Sequence, residues 1–242
     1  MTQQLGLPVP PGFTISTNAC KAYLEGGWPD GLTDELREQI ARIERQVGRG
    51  FGDASDPLLV SVRSGAPVSM PGMLDTILNL GLNAETEPGL AAAAGDAGFA
   101  ASCRSRLDTM YLDIVGADAV PDDPWLQLRG AVEAVFRSWN SDRAISYREK
   151  EGIAADLGTA VTVQAMVFGN RGDDSATGVL FTRNPATGED VLYGDLLFGA
   201  QGEDVVAGTH ATEPISVLDE RLPAVGAELR SYANALELHN RD

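Results

Sequence analysis

The chain has 242 residues and a formal net charge of −17 at neutral pH, with 43% apolar and 22% charged residues. These values exclude a disordered chain and allow one large or two small domains, and the acidic excess argues against nucleic-acid and anionic-membrane partners, which require a basic surface. Because no apolar run approaches the roughly 20 residues that span a bilayer and the first residues lack a signal-peptide pattern, we expect a cytoplasmic protein.

The N-terminal region reads as a proline-rich extended segment, a short strand and two helices. The prolines before Gly12 prevent a helix, so 13–15 is predicted to pair as a strand. One helix is expected over 17–24. A second is expected to begin with Thr33 as its N-cap and to end at Gly48, because apolar residues recur between them at helical spacing.

The segment 58–73 is the most informative part of the sequence. A buried strand over 58–62 leads to Arg63, which is followed by a loop that contains Gly65, Pro67, Pro71 and Gly72, and a helix is predicted to begin near Met73. Small residues let the backbone approach a ligand, and arginine supplies a planar fork for phosphate. The segment therefore fits either a polyphosphate-binding loop or an ordinary connection with a surface arginine.

The central region is predicted to be helical. A helix over 99–114 follows a glycine- and alanine-rich segment. A second begins with Asp123 as N-cap and Pro124 as its first residue, and a third, over 142–151, is capped by Ser141. The apolar face of the second helix contains Trp125, Leu128, Val132, Val135 and Trp139.

From residue 157 the pattern changes from helical to strand-like. Strands are predicted over 159–168, 177–183, 191–193 and 196–198, joined as an antiparallel meander, and a helix over 222–240 closes the chain. Helices and short strands followed by a meander indicate an α+β or α/β fold with two lobes.

Gln164 is a candidate binding residue within the first of these strands. In an alternating strand it shares a face with Thr162 and Met166, and an amide beside a thioether suits a flat apolar slot such as an adenine pocket. A glutamine that faces water on an edge strand fits the same pattern, so both interpretations stay open.

Carboxylates are frequent near the end of the predicted meander. Magnesium prefers oxygen ligands, but with 35 acidic residues in the chain a solvated acidic face is the better interpretation. The residues concerned are Glu189, Asp190, Asp195, Glu203 and Asp204.

Six segments together resemble the N-terminal nucleotide-binding domain of the pyruvate, phosphate dikinases. They occur in the family order across nearly the whole chain: GLPVPPGFTIST (6–17), LLVSVRSGAPVSMPGMLDTILNLGLN (58–83), DPWLQLRGAVEAVFRSWNSDRAISYR (123–148), GTAVTVQAMVFGN (158–170), ATGVLFTRNPATGE (176–189) and AQGEDVVAG (200–208). The resemblance implies an ATP-grasp-like domain of two lobes that clamp ATP with Mg²⁺. An unrelated ATP-grasp ligase is disfavoured, because the matches extend into the helical region.

The resemblance also implies a reaction and a set of site residues. In the family, ATP phosphorylates a histidine on a separate domain, and the group passes to pyruvate on a barrel domain, which yields phosphoenolpyruvate. Carried over by position, Arg63 contacts the ATP phosphates and serves catalysis. Gly72 and Thr76 belong to the loop that covers the phosphates, and Gln164 lies on the strand that faces the nucleotide. The implied partners are ATP, the phosphohistidine domain and the pyruvate-binding barrel, with a homodimer in the full enzyme.

The chain departs from the family pattern at both ends. The resemblance would require a lysine in a GGKGANLAEM-like segment before residue 1, and a D-x-E-like and a QTR-like strand after residue 242. We therefore expect a single incomplete domain over 1–242, catalytically incomplete by itself, with an N-terminal lobe over 1–116, a helical layer over 117–155 and a sheet lobe over 156–242. The alternative function is a non-catalytic interaction module, or a split-gene fragment, that docks on other dikinase domains.

Overall fold

The computed structural model describes residues 2–70, 72–206, 208 and 210–240. The chain divides into two compact units: a first unit, Pro10–Met166, and a second unit formed by the segments before and after it. Among the described residues, no helix has both the length and the apolar character needed to cross a membrane.

The first unit contains four strands, six α-helices and one turn of 3₁₀-helix. In chain order these are β1 (Gly12–Ile15), α2 (Thr17–Gly26), α3 (Leu32–Val47), β2 (Val60–Gly65), β3 (Thr76–Leu80), α4 (Glu87–Ala94), α5 (Ala97–Val115), α6 (Pro124–Ser138), α7 (Asp142–Glu151), the 3₁₀ turn (Ala155–Leu157) and β4 (Ala160–Ala165). The short helix α1 (Thr2–Leu5) precedes them and belongs to the second unit.

The helix boundaries test the predicted caps. Asp123 accepts a hydrogen bond from the backbone of Trp125 and Ser141 accepts one from Ala144, so both predicted N-caps are confirmed. Thr33 as an N-cap is wrong. Helix α3 begins at Leu32 after Gly31, whose φ of +79° suits glycine, and the Thr33 hydroxyl instead accepts a hydrogen bond from the Trp28 indole at 3.0 Å.

The sheet of the first unit has the strand order β1-β4-β2-β3, and all of its pairs are antiparallel. One face is apolar and fully buried, with Val62, Ile77, Val161 and Val163 at its centre. Helices α2, α5 and α6 contact this sheet. The helices therefore cover the apolar face and fix the strands that carry the opposite, polar face.

Two predictions about this sheet are wrong. The strand predicted over 159–168 does not begin the meander, because β4 pairs with β1 and β2. Alternating apolar residues identify a strand but not its distant partners. The helix predicted near Met73 is also absent, since the chain re-enters the sheet there as β3, with Thr76 opposite Arg63. The strand predicted over 58–62 lies two residues later, over Val60–Gly65.

The second unit is a three-stranded antiparallel sheet with helices. After α1, its elements are β5 (Ala176–Phe181), β6 (Tyr193–Phe198), α8 (Gly202–Val206), β7 (Glu213–Pro214), α9 (Val217–Arg221) and α10 (Pro223–Asn240). The sheet order is β5-β6-β7. The two strands predicted over 191–193 and 196–198 are one strand, β6, and the closing helix is confirmed as α10.

The predicted α+β class is confirmed, because helices and antiparallel sheets are combined throughout the described chain. The ATP-grasp-like arrangement and the partition at residues 116 and 155 stay predictions.

Candidate functional site

A row of four polar side chains crosses the sheet of the first unit. Thr14 on β1 pairs with Thr162 on β4, Thr162 with Arg63 on β2, and Arg63 with Thr76 on β3. Directly paired residues project to the same face of a sheet, so the four side chains lie on one face. The hydroxyl oxygens of Thr14 and Thr162 are 3.4 Å apart. The row therefore brings three hydroxyl groups and one guanidinium onto the polar face.

Arg63 is exposed on this face. No carboxylate within the described residues forms an ion pair with it, so its guanidinium is free to bind an anion. Arginine presents five N–H donors in a planar fork that fits the oxygens of phosphate or carboxylate groups. The sequence-predicted anion contact is thus sterically accessible.

The loop over 66–75 leaves the sheet after Gly65 and returns at Thr76, directly opposite Arg63. Within it, Gly72 is exposed and has a φ of +70°, a left-handed conformation that favours glycine. An added Cβ at Gly72 would meet no atom within 4 Å, so the space beside this backbone is open. Pro71 lies outside the described residues. The loop thus leaves the sheet two residues after Arg63 and ends opposite it at Thr76, which is the first residue of β3 and not part of the loop; that the loop covers phosphates stays a prediction.

Gln164 lies on the same face, but not on an edge strand. Strand β4 has β1 on one side and β2 on the other, so the edge-strand interpretation is wrong. The amide Nε2 of Gln164 donates to the Pro10 carbonyl at 3.0 Å. Its partner on β1 is Gly12, where an added Cβ would lie 2.7 Å from the Val163 carbonyl oxygen. A glycine at this position therefore permits the close approach of β1 to β4.

The acidic residues of the second unit do not form a metal centre. No group of three or more His, Cys, Asp or Glu side chains with metal-ligand geometry occurs in the described parts of the chain. Glu189, Asp190 and Asp195 are exposed, and Asp204 accepts a hydrogen bond from the Gln201 backbone at 2.9 Å. The carboxylates described here thus fit a solvated face better than a resident magnesium site.

Two features of the site escaped the sequence analysis. Thr14 joins the polar row only through strand pairing, and Arg143 on α7 contacts the loop at Met73 and Asp75. Since 68 residues separate Arg143 from Asp75, no local signal could indicate the contact.

Arg148, on the same helix α7, lies behind the loop and is only 4% exposed. Its guanidinium lies 4.2 Å from the centre of the Trp139 ring and donates to the Trp139 carbonyl. Burial lowers the pKa of this guanidinium from its usual value. The cation stacks on an aromatic ring that also supports the loop.

Comparison with known proteins assigns this chain to a family. Residues 29–240 match the family described as "Pyruvate phosphate dikinase, AMP/ATP-binding domain". Three curated relatives are named pyruvate, phosphate dikinase. The protein from Rhizobium meliloti (strain 1021) is 46% identical, that from Clostridium symbiosum 42%, and the chloroplastic dikinase 1 from Arabidopsis thaliana 44%. Each alignment covers 98% of this chain and 30–33% of the relative.

The chain thus spans about a third of the length of these relatives. The alignments extend over 286 to 298 positions, more than the 242 residues of the chain, so the relatives carry residues in this region that the chain lacks. The resemblance drawn from the six sequence segments is confirmed. With its mixed α+β fold, this chain belongs to the family of pyruvate phosphate dikinase AMP/ATP-binding domains.

Proposed function

We propose that the polar face of the first unit binds ATP and that Arg63 contacts its phosphates. The observation that carries the proposal is the direct pairing of Arg63 with Thr76 where the loop over 66–75 enters and leaves the sheet. A guanidinium, a threonine hydroxyl and the exposed backbone around Gly72 supply the donors that phosphate oxygens accept. Family membership in an AMP/ATP-binding domain supports a nucleotide as the ligand.

In this proposal Gln164 faces the nucleotide from the same sheet. Its Nε2 is held by the Pro10 carbonyl, so the amide oxygen remains as the group that can accept from an adenine amino group. The apolar slot predicted from the sequence would then bind the adenine base, while Arg63 and the loop bind the phosphates. The two ends of ATP would lie along one sheet face.

Magnesium enters this proposal with the substrate. The described residues do not offer a group of carboxylates that fits a resident ion. Mg²⁺ retains several waters and is commonly bound through substrate phosphates and only one or two carboxylates. We therefore treat MgATP as the bound species and assign no metal ligand to this chain.

For the whole reaction, we propose the family chemistry. ATP phosphorylates a histidine on a separate domain and the group passes to pyruvate on a barrel domain, so that ATP, phosphate and pyruvate are interconverted with AMP, diphosphate and phosphoenolpyruvate. Phosphoryl transfer depends on positioning and on stabilising charge at the transferred group, which is the role assigned to Arg63. The alignments cover only 33% of these relatives, which supports placing the histidine and the pyruvate site elsewhere. We propose that the chain alone does not catalyse the transfer, and that it acts in the cytoplasm, within a homodimer of the full enzyme.

Titration calorimetry with MgATP tests the binding proposal. Arg63→Met removes the charge and keeps the volume, and losing a charge-assisted hydrogen bond of about 1.5–3 kcal/mol should weaken ATP binding about 10- to 100-fold. Arg42→Met is the matched control, because Arg42 is an exposed arginine on α3 that is not a member of the row. Equal affinities of the two variants would contradict the role of Arg63.

One observation supports the alternative, an interaction module that docks on other dikinase domains. Val179, Phe181 and Tyr193 share one face of the β5–β6 pair and are 43%, 50% and 48% exposed. Clustered exposed apolar residues are typical of interaction surfaces. Size-exclusion chromatography at several concentrations tests this function: self-association that Phe181→Ser abolishes would support it. A monomer at every concentration that binds ATP would contradict it.

A further inference from the structure

The loop over 66–75 is held at its second half by one arginine of α7. The Nε of Arg143 donates to the Met73 carbonyl at 3.2 Å, and its Nη2 donates to an oxygen of the Asp75 carboxylate. Asp75 directly precedes Thr76, and Met73 directly follows Gly72. A single guanidinium thus contacts the backbone at Met73 and the side chain at Asp75, on either side of Leu74.

The first half of the loop is held by apolar packing. Met70 is 7% exposed and packs with Trp139 at the end of α6 and Ala144 on α7, and the partly buried Met73 and Leu74 join this cluster. The described part of the loop therefore packs against the corner between α6 and α7. Arg143 adds a polar contact beside this apolar cluster.

Charge gives Arg143 a second effect. Asp75 carries a carboxylate next to Thr76, where the proposed site binds the phosphates of ATP. Without a counter-ion this carboxylate would repel a polyphosphate, because like charges at a partly buried position are poorly screened. The side chain of Asp75 is 19% exposed, and Arg143 pairs with it. The arginine therefore orients the loop and neutralises the carboxylate that directly precedes Thr76.

We propose that Arg143 is a positioning residue for the loop: it holds the segment between Gly72 and Thr76, which ends opposite Arg63, and it neutralises Asp75, so that the loop is ordered before ATP binds. This inference rests on the proposed function of Arg63 and the loop. Fixing a segment in its bound conformation lowers the entropy lost on binding. The side chain of Arg143 is 51% exposed, and an ion pair with one half-exposed partner contributes little to global stability, so its variants should fold.

The inference predicts an order of ATP affinities for three variants. Arg143→Gln removes both contacts with the loop and leaves Asp75 unpaired. We therefore expect the largest loss of ATP affinity, about 10-fold, as for one charge-assisted contact. Asp75→Asn removes the ion pair together with the negative charge but keeps the contact of Arg143 with the Met73 carbonyl, so its loss should be about 3-fold. The double variant lacks both contacts and the repulsive carboxylate, so its loss should lie between those of the two single variants. AMP lacks the β- and γ-phosphates, which the loop would cover. The affinity of the protein for AMP should therefore change less than 2-fold in all three variants.

The test is calorimetry with MgATP and with AMP on the full 242-residue chain. Arg104→Gln is the matched control, since Arg104 forms a partly buried ion pair with Asp108 on α5, outside the loop and the polar row. Equal losses for ATP and AMP, or equal ATP affinity of Arg143→Gln and Arg104→Gln, would overturn the inference. If Arg63→Met weakens ATP binding while Arg143→Gln does not, only this inference fails; if neither does, the proposed function fails as well.

A second measurement needs no nucleotide. Amide hydrogen exchange in residues 72–76 should be faster in Arg143→Gln than in Arg104→Gln, because the contacts of Arg143 with Met73 and Asp75 order this segment in the free protein. Unchanged exchange in the two variants would show that Arg143 does not hold the loop, whatever the ATP affinities are.

Discussion

Gln127 should contribute more to stability than any other polar side chain of α6. It is fully buried; its Oε1 accepts from the Gly81 backbone at 2.9 Å, and its Nε2 donates to the carbonyls of Leu82 at 3.0 Å and Pro121 at 2.7 Å. One side chain thus joins the start of α6 to the turn after β3. We predict that Gln127→Leu, which keeps a similar volume, destabilises the protein.

The magnitude follows from these three contacts. The buried Gly81 N–H loses its side-chain acceptor, which costs about 1–3 kcal/mol, and each carbonyl loses a hydrogen bond with a net value of about 0.5–1.5 kcal/mol. Burying a leucine side chain offsets about 1–2 kcal/mol of this loss. We therefore expect the free energy of unfolding to fall by about 3 kcal/mol. For a chain of this length the melting temperature would fall by about 6–12 °C.

Urea unfolding followed by circular dichroism measures this change. Leu126→Gln is the matched control, because Leu126 is the preceding residue of α6 and is 55% exposed, and its effect should stay within about 0.5 kcal/mol. Gln127→Glu keeps the acceptor for Gly81 but sets a carboxylate against two carbonyl oxygens, so it should be less stable than Gln127→Leu at pH 7. If Gln127→Leu lies within about 1 kcal/mol of the unaltered chain, the hydrogen-bond argument is wrong.

Two further predictions concern buried ionisable groups. Burial raises the pKa of the Cys20 thiol, so the unfolded state loses this proton at lower pH than the folded state. The stability that Cys20 contributes is therefore present below its ordinary pKa and is lost as the pH rises. Between pH 8 and 10 the free energy of unfolding should fall less steeply in Cys20→Ala than in the unaltered chain, and equal slopes in urea titrations would contradict this. Arg148→Met should change the free energy of unfolding by less than about 1 kcal/mol, because relief of a buried charge offsets the lost hydrogen bond to Trp139; a loss above about 2 kcal/mol in the same assay would show that the cation itself stabilises the fold.

The sequence predicts those parts of the fold that depend on neighbouring residues. Asp123, Pro124 and Ser141 mark helix starts through local hydrogen bonds and a fixed backbone angle, and the structure places α6 and α7 where these residues indicate. Thr33 shows the limit of such signals, since a glycine two residues earlier began the helix and the threonine hydroxyl bonded to Trp28 instead.

Contacts between distant segments could not be predicted in the same way. The alternation around Gln164 identifies a strand, but its place between β1 and β2 depends on pairing across more than 100 residues. The resemblance supplied Arg63 and Thr76 as separate motif positions; only the strand register shows that they are paired neighbours. The contact of Arg143 with the loop likewise arises from packing of α7, which no sequence period reveals.

The pairing of β1 with β4 has a consequence for how the first unit is connected. The chain enters this unit at Pro10 and leaves it at Met166, and the Ala165 N–H donates to the Pro11 carbonyl at 2.9 Å. Entry and exit are therefore adjacent, an arrangement that tolerates excision and circular permutation. Because Arg63, Gly72, Thr76 and Gln164 all lie between these two points, the complete set of predicted ligand contacts is contained in one continuous, separable length of chain.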